Sequence, residues 1–352
     1  MKRCHVLAFA AAALMALCYM VDMANRRKAQ IKVEIELESS GNMPFDSPMC
    51  VVSTGKCHEN PAEPSPRTEF SVRRRDDLFA WEKARENCVR SAANFSRHSK
   101  GSRVVPLVLF GDSIFESFLG TKMNRAIPRA DGIASVFESF CAANNFDPLV
   151  LAISGDQTQN LLWRMQNGEF PSETVSANPE ARFMIHIGTN NLGGGFSPDA
   201  ASAGMVQVVR EILDRVRGRV VVLSLLPRGD GLTALRSLCE RGVRCRDATG
   251  RVPFKSFLPA ISKANEMFRS DMKEDFVREH ERLRVADCGY IFATKSENDK
   301  YSESESLRQS TSRLRANGGA LQEVNEALMP DKLHPNGKGH KELLECLRPL
   351  LS

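Results

Sequence analysis

The stretch Val104-Val105-Pro106-Leu107-Val108-Leu109-Phe110-Gly111-Asp112-Ser113 decides how this chain is read. An unbroken apolar run ends at a glycine, and the residues after it are common helix openers. Such a run is a strand buried on both faces, as in a parallel sheet. Similar runs recur at Pro148 to Ile153, Arg182 to Ile187 and Arg219 to Leu226, with a weaker one at Leu283 to Ala286. Helical patterns lie between and after them: Asn160 to Gly168, Ala200 to Val216, Leu258 to Glu281 and Gly339 to Leu350. Apolar strands alternating with helices predict an α/β domain with a parallel sheet covered on both faces.

The bulk numbers agree with a globular chain. There are 352 residues, 42% of them apolar and 26% charged, with a net charge of +5. This length holds one large α/β domain with an appendage, or two small domains. The basic residues are scattered, as in Arg73-Arg74-Arg75 and Arg241, Arg244 and Arg246. A nucleic-acid footprint needs clustering on one surface, so no nucleic-acid partner is expected.

The first thirty residues differ from the rest. Lys2 and Arg3 precede an apolar run from Val6 to Val21, and Arg26-Arg27-Lys28 follow it. This pattern predicts a signal peptide or signal anchor over residues 1–30, with a lumenal or extracellular location, either secreted or held by a single-pass membrane anchor. Ten cysteines fit an oxidising compartment. Cys50 with Cys57, and Cys239 with Cys245, are close enough in sequence to close small loops. There is one glycosylation sequon, Asn94-Phe95-Ser96. Residues 31–100 read as a stem or linker, Pro-rich from Pro61 to Pro66, with an amphipathic helix over 74–95. The main domain spans 101–352 and carries two loop insertions, near 230–255 and 295–320.

The chemistry gathers at strand ends. Gly111-Asp112-Ser113 follows the first buried strand and opens a helix. In open α/β sheets, ligands bind outside the carboxyl ends of the strands. A serine there is exposed where chemistry happens, and its own N–H lies at a helix start. The bland reading is a helix cap, since Asp and Ser are common there. A serine hydroxyl needs a base. Of seven histidines, His334 stands out, in Asp331-Lys332-Leu333-His334-Pro335-Asn336 just before the last helix. Asp331, three residues earlier, is placed to orient the imidazole. Against this stands a capping Asp beside a surface His. His186 lies inside an apolar strand and reads as a core residue. Ser154-Gly155-Asp156-Gln157-Thr158 follows the second strand, and Gly188-Thr189-Asn190-Asn191 the third. The N–H groups of Ser113 and Gly155 and the Asn190 side-chain amide could stabilise an oxyanion. Each piece alone is ordinary turn chemistry. Jointly they follow consecutive strands in order. Asp112 reads as a brace for the turn. Arg164 reads as a holder of loop carbonyls or a surface ion pair.

This ordered set resembles the SGNH, or GDSL-type, hydrolases. Ser113, Gly155, Asn190 and His334 match the four residues that name that family, and Asp331 matches its triad acid. The stretches Gly155-Asp156-Gln157-Thr158-Gln159, Leu162-Trp163-Arg164, Asn167-Gly168-Glu169 and Leu225-Leu226-Pro227-Arg228-Gly229 are similar to the catalytic subunits of intracellular platelet-activating factor acetylhydrolase. The resemblance covers roughly residues 104–350. It implies a flavodoxin-like, three-layer α/β/α domain with a five-stranded parallel sheet. It implies ester hydrolysis through an acyl-enzyme, with no metal or organic cofactor, and a homodimer. The departures are the N-terminal segment, the cysteine-bearing stem, the two insertions, and Ala152 where such relatives usually carry glycine. The expectation is a serine esterase acting on a short-chain, chiefly acetyl, ester. A carbohydrate O-acetylesterase or an acyltransferase is the alternative within enzymes, and a non-catalytic binding module on the same fold is the rival outside them.

Overall fold

Along the first strand, Leu107 and Leu109 pack into one apolar core while Val108 and Phe110 pack into another. That is the period of two expected of a pleated strand with both faces covered. The structure, a computed structural model, describes residues 50–51, 56–57, 59–68, 75–95, 104–229, 257–279, 281–294 and 324–352. The N-terminal segment, most of the stem, Cys239 and Cys245, and the two insertions lie outside the described residues.

Five strands form the central sheet: β1 (Val105–Gly111), β2 (Phe146–Ala152), β3 (Arg182–His186), β4 (Arg219–Leu223) and β5 (Leu283–Ala286). All pairings are parallel, in the order β2-β1-β3-β4-β5. This is the flavodoxin-like order, with its switch point between β1 and β3. Pro106 is tolerated in a central strand because β3 pairing starts only at Leu107, one residue further on. Pro148 lies in β2, at the sheet edge.

Helices cover both faces. On one side lie α1 (Arg75–Phe95), α3 (Thr158–Gln166), α4 (Pro198–Arg215) and α5 (Leu258–Asp275), whose buried residues join Val108, Phe110, Phe183, Ile185, Val220 and Val222. On the other lie α2 (Ile133–Ala143) and α6 (Gly337–Leu351), packed on Leu107, Leu109, Met184, Val221 and Leu223. The result is three layers, α/β/α.

The region ahead of the sheet is packed into the domain where it is described. Trp81, Ala84, Cys88, Ala92 and Phe95 of α1 are buried in the same core as β1 and β2. Residues 59–68 lie along the start of α3. The Thr158 hydroxyl donates to the Pro61 carbonyl at 2.8 Å, the Ser65 N–H to the Gln159 carbonyl at 3.0 Å, and the Asn160 amide to the Ser65 carbonyl at 3.1 Å. Among the described residues, a disulfide joins Cys288, just after β5, to Cys346 in α6, while Cys88 and Cys141 are free and buried. Sequence spacing does not reveal that pairing, since the two residues are 58 apart. Cys50 and Cys57 stand opposite each other in a short two-stranded ladder. Among the described residues, no helix is long and apolar enough to cross a membrane; the apolar run from Val6 to Val21 is not among them.

Candidate active site

The site lies at the carboxyl ends of β1, β2 and β3, beside the switch point. Gly111 ends β1, and the reason for glycine is close approach. A Cβ there would sit 2.5 Å from the His186 carbonyl oxygen of the neighbouring strand. Gly111 is absent from the positive-φ glycines, so a left-handed turn is not what requires it. Asp112 caps the short helix Ser113–Glu116, its Oδ1 accepting from the Ile114 N–H at 3.1 Å. Burial pushes the Asp112 carboxyl up to about 7, partly offset by the Ile114 hydrogen bond.

Ser113 starts that helix, where an N–H has no acceptor within the helix itself. Its Oγ lies 2.8 Å from Nε2 of His334. His334 Nδ1 lies 2.7 Å from Asp331 Oδ2. The other carboxylate oxygen of Asp331 accepts from the backbone N–H groups of Leu333 and His334, at 3.0 and 2.7 Å. Partial burial would raise this carboxyl. The ring, backbone and charge of His334 outweigh it, with the Leu333 N–H, and hold Asp331 well below the ordinary carboxylate range. Between the two residues Lys332 adopts φ +60°, a left-handed turn that folds Asp331 back onto His334. The Lys332 carbonyl is held by the Gly229 N–H at 2.8 Å. Ser113, Asp331 and His334 thus come together from opposite ends of the domain.

The two loops that follow β2 and β3 are knitted to each other. The Asn190 amide donates to the Asp156 carbonyl at 2.9 Å and lies 3.4 Å from Asp112 Oδ2. Gln157 Nε2 reaches the Asn190 carbonyl at 3.1 Å, and the Thr158 N–H donates to Asn191 Oδ1 at 3.0 Å. Arg228 donates to the Thr189 carbonyl at 2.7 Å and stacks over Phe257. Gly155 has φ +83°, a conformation that favours glycine.

Beneath these loops lies a buried charge network. Arg164 is fully buried. Its Nε is 2.6 Å from Asp156 Oδ2, it is paired with Glu169, and its Nη2 lies 3.3 Å from the Gly111 carbonyl oxygen. It therefore braces the strand end ahead of Ser113 rather than sitting in a surface ion pair. Asp156 Oδ1 takes the Trp81 indole N–H at 2.8 Å and Arg67 at 2.9 Å. Glu116, buried three residues after Ser113, accepts from the N–H and hydroxyl of Ser154 at 2.7 and 2.5 Å, and from Thr121 and Asn124 at 3.1 Å each.

Sequence reasoning misses four of these groups. Glu116 leaves a trace: a charge beside Ile114-Phe115, where the helix faces the core. Asp156 sits in a loop already singled out, but its role depends on partners far away. Trp81 lies in the amphipathic pattern over 74–95, but nothing local to it or to Arg67 points to the loop they hold, because each acts through contacts 75 or more residues distant. His186 is fully buried as expected, and burial pushes it down to about 4, offset by its contact with the Leu223 carbonyl.

A family model described as the GDSL-like Lipase/Acylhydrolase family matches residues 109–275. Over that stretch, just under half of its length, the chain is similar to this family. Platelet-activating factor acetylhydrolase IB subunit alpha1 of Pongo abelii is 30% identical over 125 residues, 35% of this chain and 48% of that protein. The same subunit of Bos taurus is 31% identical over the same length and shares. The chain spans about half the length of these curated relatives. A solved structure titled as a putative platelet activating factor from Streptococcus pneumonia has a TM-score of 0.48 at 15% identity, covering 81% of this chain and all of that one. The family match takes in Ser113, Gly155 and Asn190 but stops short of Asp331 and His334, and it excludes Arg67 and Trp81.

Proposed function

We propose that this protein is a serine esterase that hydrolyses short acyl esters through an acyl-enzyme. The observation that carries this reading is the continuous line from Ser113 Oγ to His334 Nε2 at 2.8 Å and from His334 Nδ1 to Asp331 Oδ2 at 2.7 Å. A serine within hydrogen-bond reach of a base, itself oriented by a carboxylate, is the arrangement of an activated nucleophile.

Ser113 Oγ attacks the ester carbonyl carbon while its proton passes to His334 Nε2. The negative charge moves to the carbonyl oxygen, opposite the N–H groups of Ser113 and Gly155 and the Asn190 amide. The carbon–oxygen bond to the alcohol then breaks, and His334 returns the proton to the leaving oxygen. Water attacks the acyl-serine with His334 again taking a proton. Collapse releases the carboxylic acid and restores the Ser113 hydroxyl. Asp331 holds Nδ1–H throughout and offsets the charge of the imidazolium. An acetyl group is the acyl group favoured, because the curated relatives are named acetylhydrolases. The Cys288–Cys346 bond supports a lumenal or extracellular location.

The test is p-nitrophenyl acetate hydrolysis together with labelling by a fluorophosphonate. The wild-type chain is expected to label at one serine and to turn over. Ser113→Ala should lose the label and about 10³-fold or more of kcat. Hydrolysis by that variant at the wild-type rate overturns the assignment. An unlabelled, inert wild type favours the binding-module rival.

A further inference from the structure

The geometry points to Arg67, a residue ahead of the family-matched domain, as the positioning residue that sets the direction of the Gly155 N–H. This inference rests on the esterase reading, in which that N–H is an oxyanion donor.

The argument starts from one peptide plane. The carbonyl of Ser154 and the N–H of Gly155 belong to the same planar unit, and in a trans peptide they point in opposite directions. No described peptide bond is cis. Arg67 Nη2 donates to the Ser154 carbonyl oxygen at 2.7 Å. Gripping that oxygen fixes the N–H on the far edge. Glycine makes the grip necessary. At φ +83° Gly155 has access to rotations that other residues lack, so its own backbone does little to hold this peptide in place.

Arg67 is built into the position. Its side chain is 8% exposed, and the same guanidinium nitrogen lies 2.9 Å from Asp156 Oδ1, which Trp81 also holds. The guanidinium lies 5.9 Å from the Trp81 ring centroid. A Cβ on Gly155 would meet Arg67 Nη2 at 3.0 Å, so the arginine stands directly against the glycine. The neighbouring peptide is fixed separately, since Glu116 holds the Ser154 N–H and hydroxyl. Arg67 thus touches both residues that flank Gly155 and none of the triad. Its contribution is to align a donor before substrate arrives, which is how preset dipoles lower a barrier without reorganisation.

The experiment compares full-length wild type, Arg67→Ala and Arg67→Lys with p-nitrophenyl acetate. Active sites are counted by stoichiometric fluorophosphonate labelling, and folding by thermal unfolding. The expected result is a kcat per labelled serine lower by about 10- to 100-fold with KM changed less than about threefold. A boronic acid that adds to Ser113 should weaken in proportion to kcat/KM, because it reports the same oxyanion site. Added guanidinium should restore part of the Arg67→Ala rate. Arg67→Lys keeps the charge but not the planar fork, so it should stay folded and slow. If Arg67→Ala unfolds, Arg67→Lys carries the test alone. A merely structural role would lower the number of labelled sites and leave kcat per site unchanged, and that outcome overturns the inference. Wild-type kcat per site in Arg67→Lys overturns it too. An inert wild type fails the esterase reading first, and this inference with it.

Discussion

His340 Nε2 lies 3.1 Å from the carbonyl oxygen of Ile114, 226 residues earlier in the chain, so the last helix holds the residue that follows Ser113. The ring is fully buried and stands edge-on to Phe118. As a neutral imidazole it has one N–H to give, and both ring nitrogens face a carbonyl, Nε2 that of Ile114 and Nδ1 that of Asn336 at 3.2 Å, so the ring bridges the helix that carries Ser113 and the start of the last helix.

This burial has a pH signature. Desolvation pushes His340 and His186 down to about 4, and pushes Asp112 up to about 7. Between about pH 4 and 6.5 the unfolded chain binds protons at two histidines that the fold keeps neutral, while the fold keeps one proton on Asp112 that the unfolded chain releases. The net difference is one proton taken up on unfolding, so stability falls as pH is lowered, by about 1.4 kcal/mol per pH unit from these groups. His340→Gln removes one histidine, and the remaining two contributions cancel. Urea titrations across that window should therefore show a shallower pH slope for the variant. An unchanged slope would mean that His340 titrates in the fold as it does in the unfolded chain.

Glu116 receives four hydrogen bonds from two loops. Glu116→Ala leaves those donors unpaired in a buried place, and the expected loss is about 3–5 kcal/mol. Glu116→Gln keeps the shape but turns an NH₂ toward other donors, so its loss should be intermediate. Chemical denaturation ranks the three proteins. Equal stability would remove Glu116 from the framework of the site.

The Cys288–Cys346 bond closes a stretch of chain that includes Asp331 and His334. Replacing both cysteines by serine should cost about 2–4 kcal/mol. The paired variant isolates this bond from the other cysteines, which addition of a reductant would not. Cys88 and Cys141 are buried, and burial pushes their thiols up to about 11 and about 12. They should react with a thiol reagent only as the protein unfolds. A midpoint unmoved in the double variant would argue against the bond.

A chain beginning at residue 101 should not fold. It lacks five buried residues of α1 and two of the partners of Asp156, Arg67 and Trp81. Burial of large apolar side chains contributes about 1.5–3 kcal/mol each, and a domain has only about 5–15 kcal/mol in total. A chain beginning at residue 59 keeps these groups and should be soluble and cooperative. A cooperative unfolding transition in the shorter chain would show that the sheet alone suffices.

Four of the five strands are legible as apolar runs because a strand buried on both faces carries its signal in a few consecutive residues; β5, an edge strand with Arg284 exposed, gives a weaker run. The line of Ser113, His334 and Asp331 is legible for a different reason. Ser113 follows the first of those strands, and Asp331 and His334 are three residues apart, so local spacing hints at their pairing. α2 is less visible, although Ile133, Phe137, Phe140 and Cys141 recur at helical spacing and are buried. The stem reading of residues 31–70 rests on proline and polar content, which describes the backbone but not what it packs on, whereas the amphipathic pattern over 74–95 marks an apolar face, and Trp81, Ala84 and Cys88 are buried.

By itself, then, the sequence determined the alternation of strands and helices, the order of the site loops along the chain, and the residue types at their tips. These depend on periodicity and near-neighbour chemistry. Only the tertiary structure decided what holds those tips in place. Arg67, Trp81, Glu116, Arg164 and His340 act on partners in other elements, and for Arg67, Trp81 and His340 those partners lie tens to hundreds of residues away. A buried charge or a buried N–H acquires its meaning from the group it meets in space, and no local pattern records that meeting. The two residues that flank Gly155 show both halves: the loop is plain in the sequence, while the arginine that steadies it belongs to a segment that reads as linker.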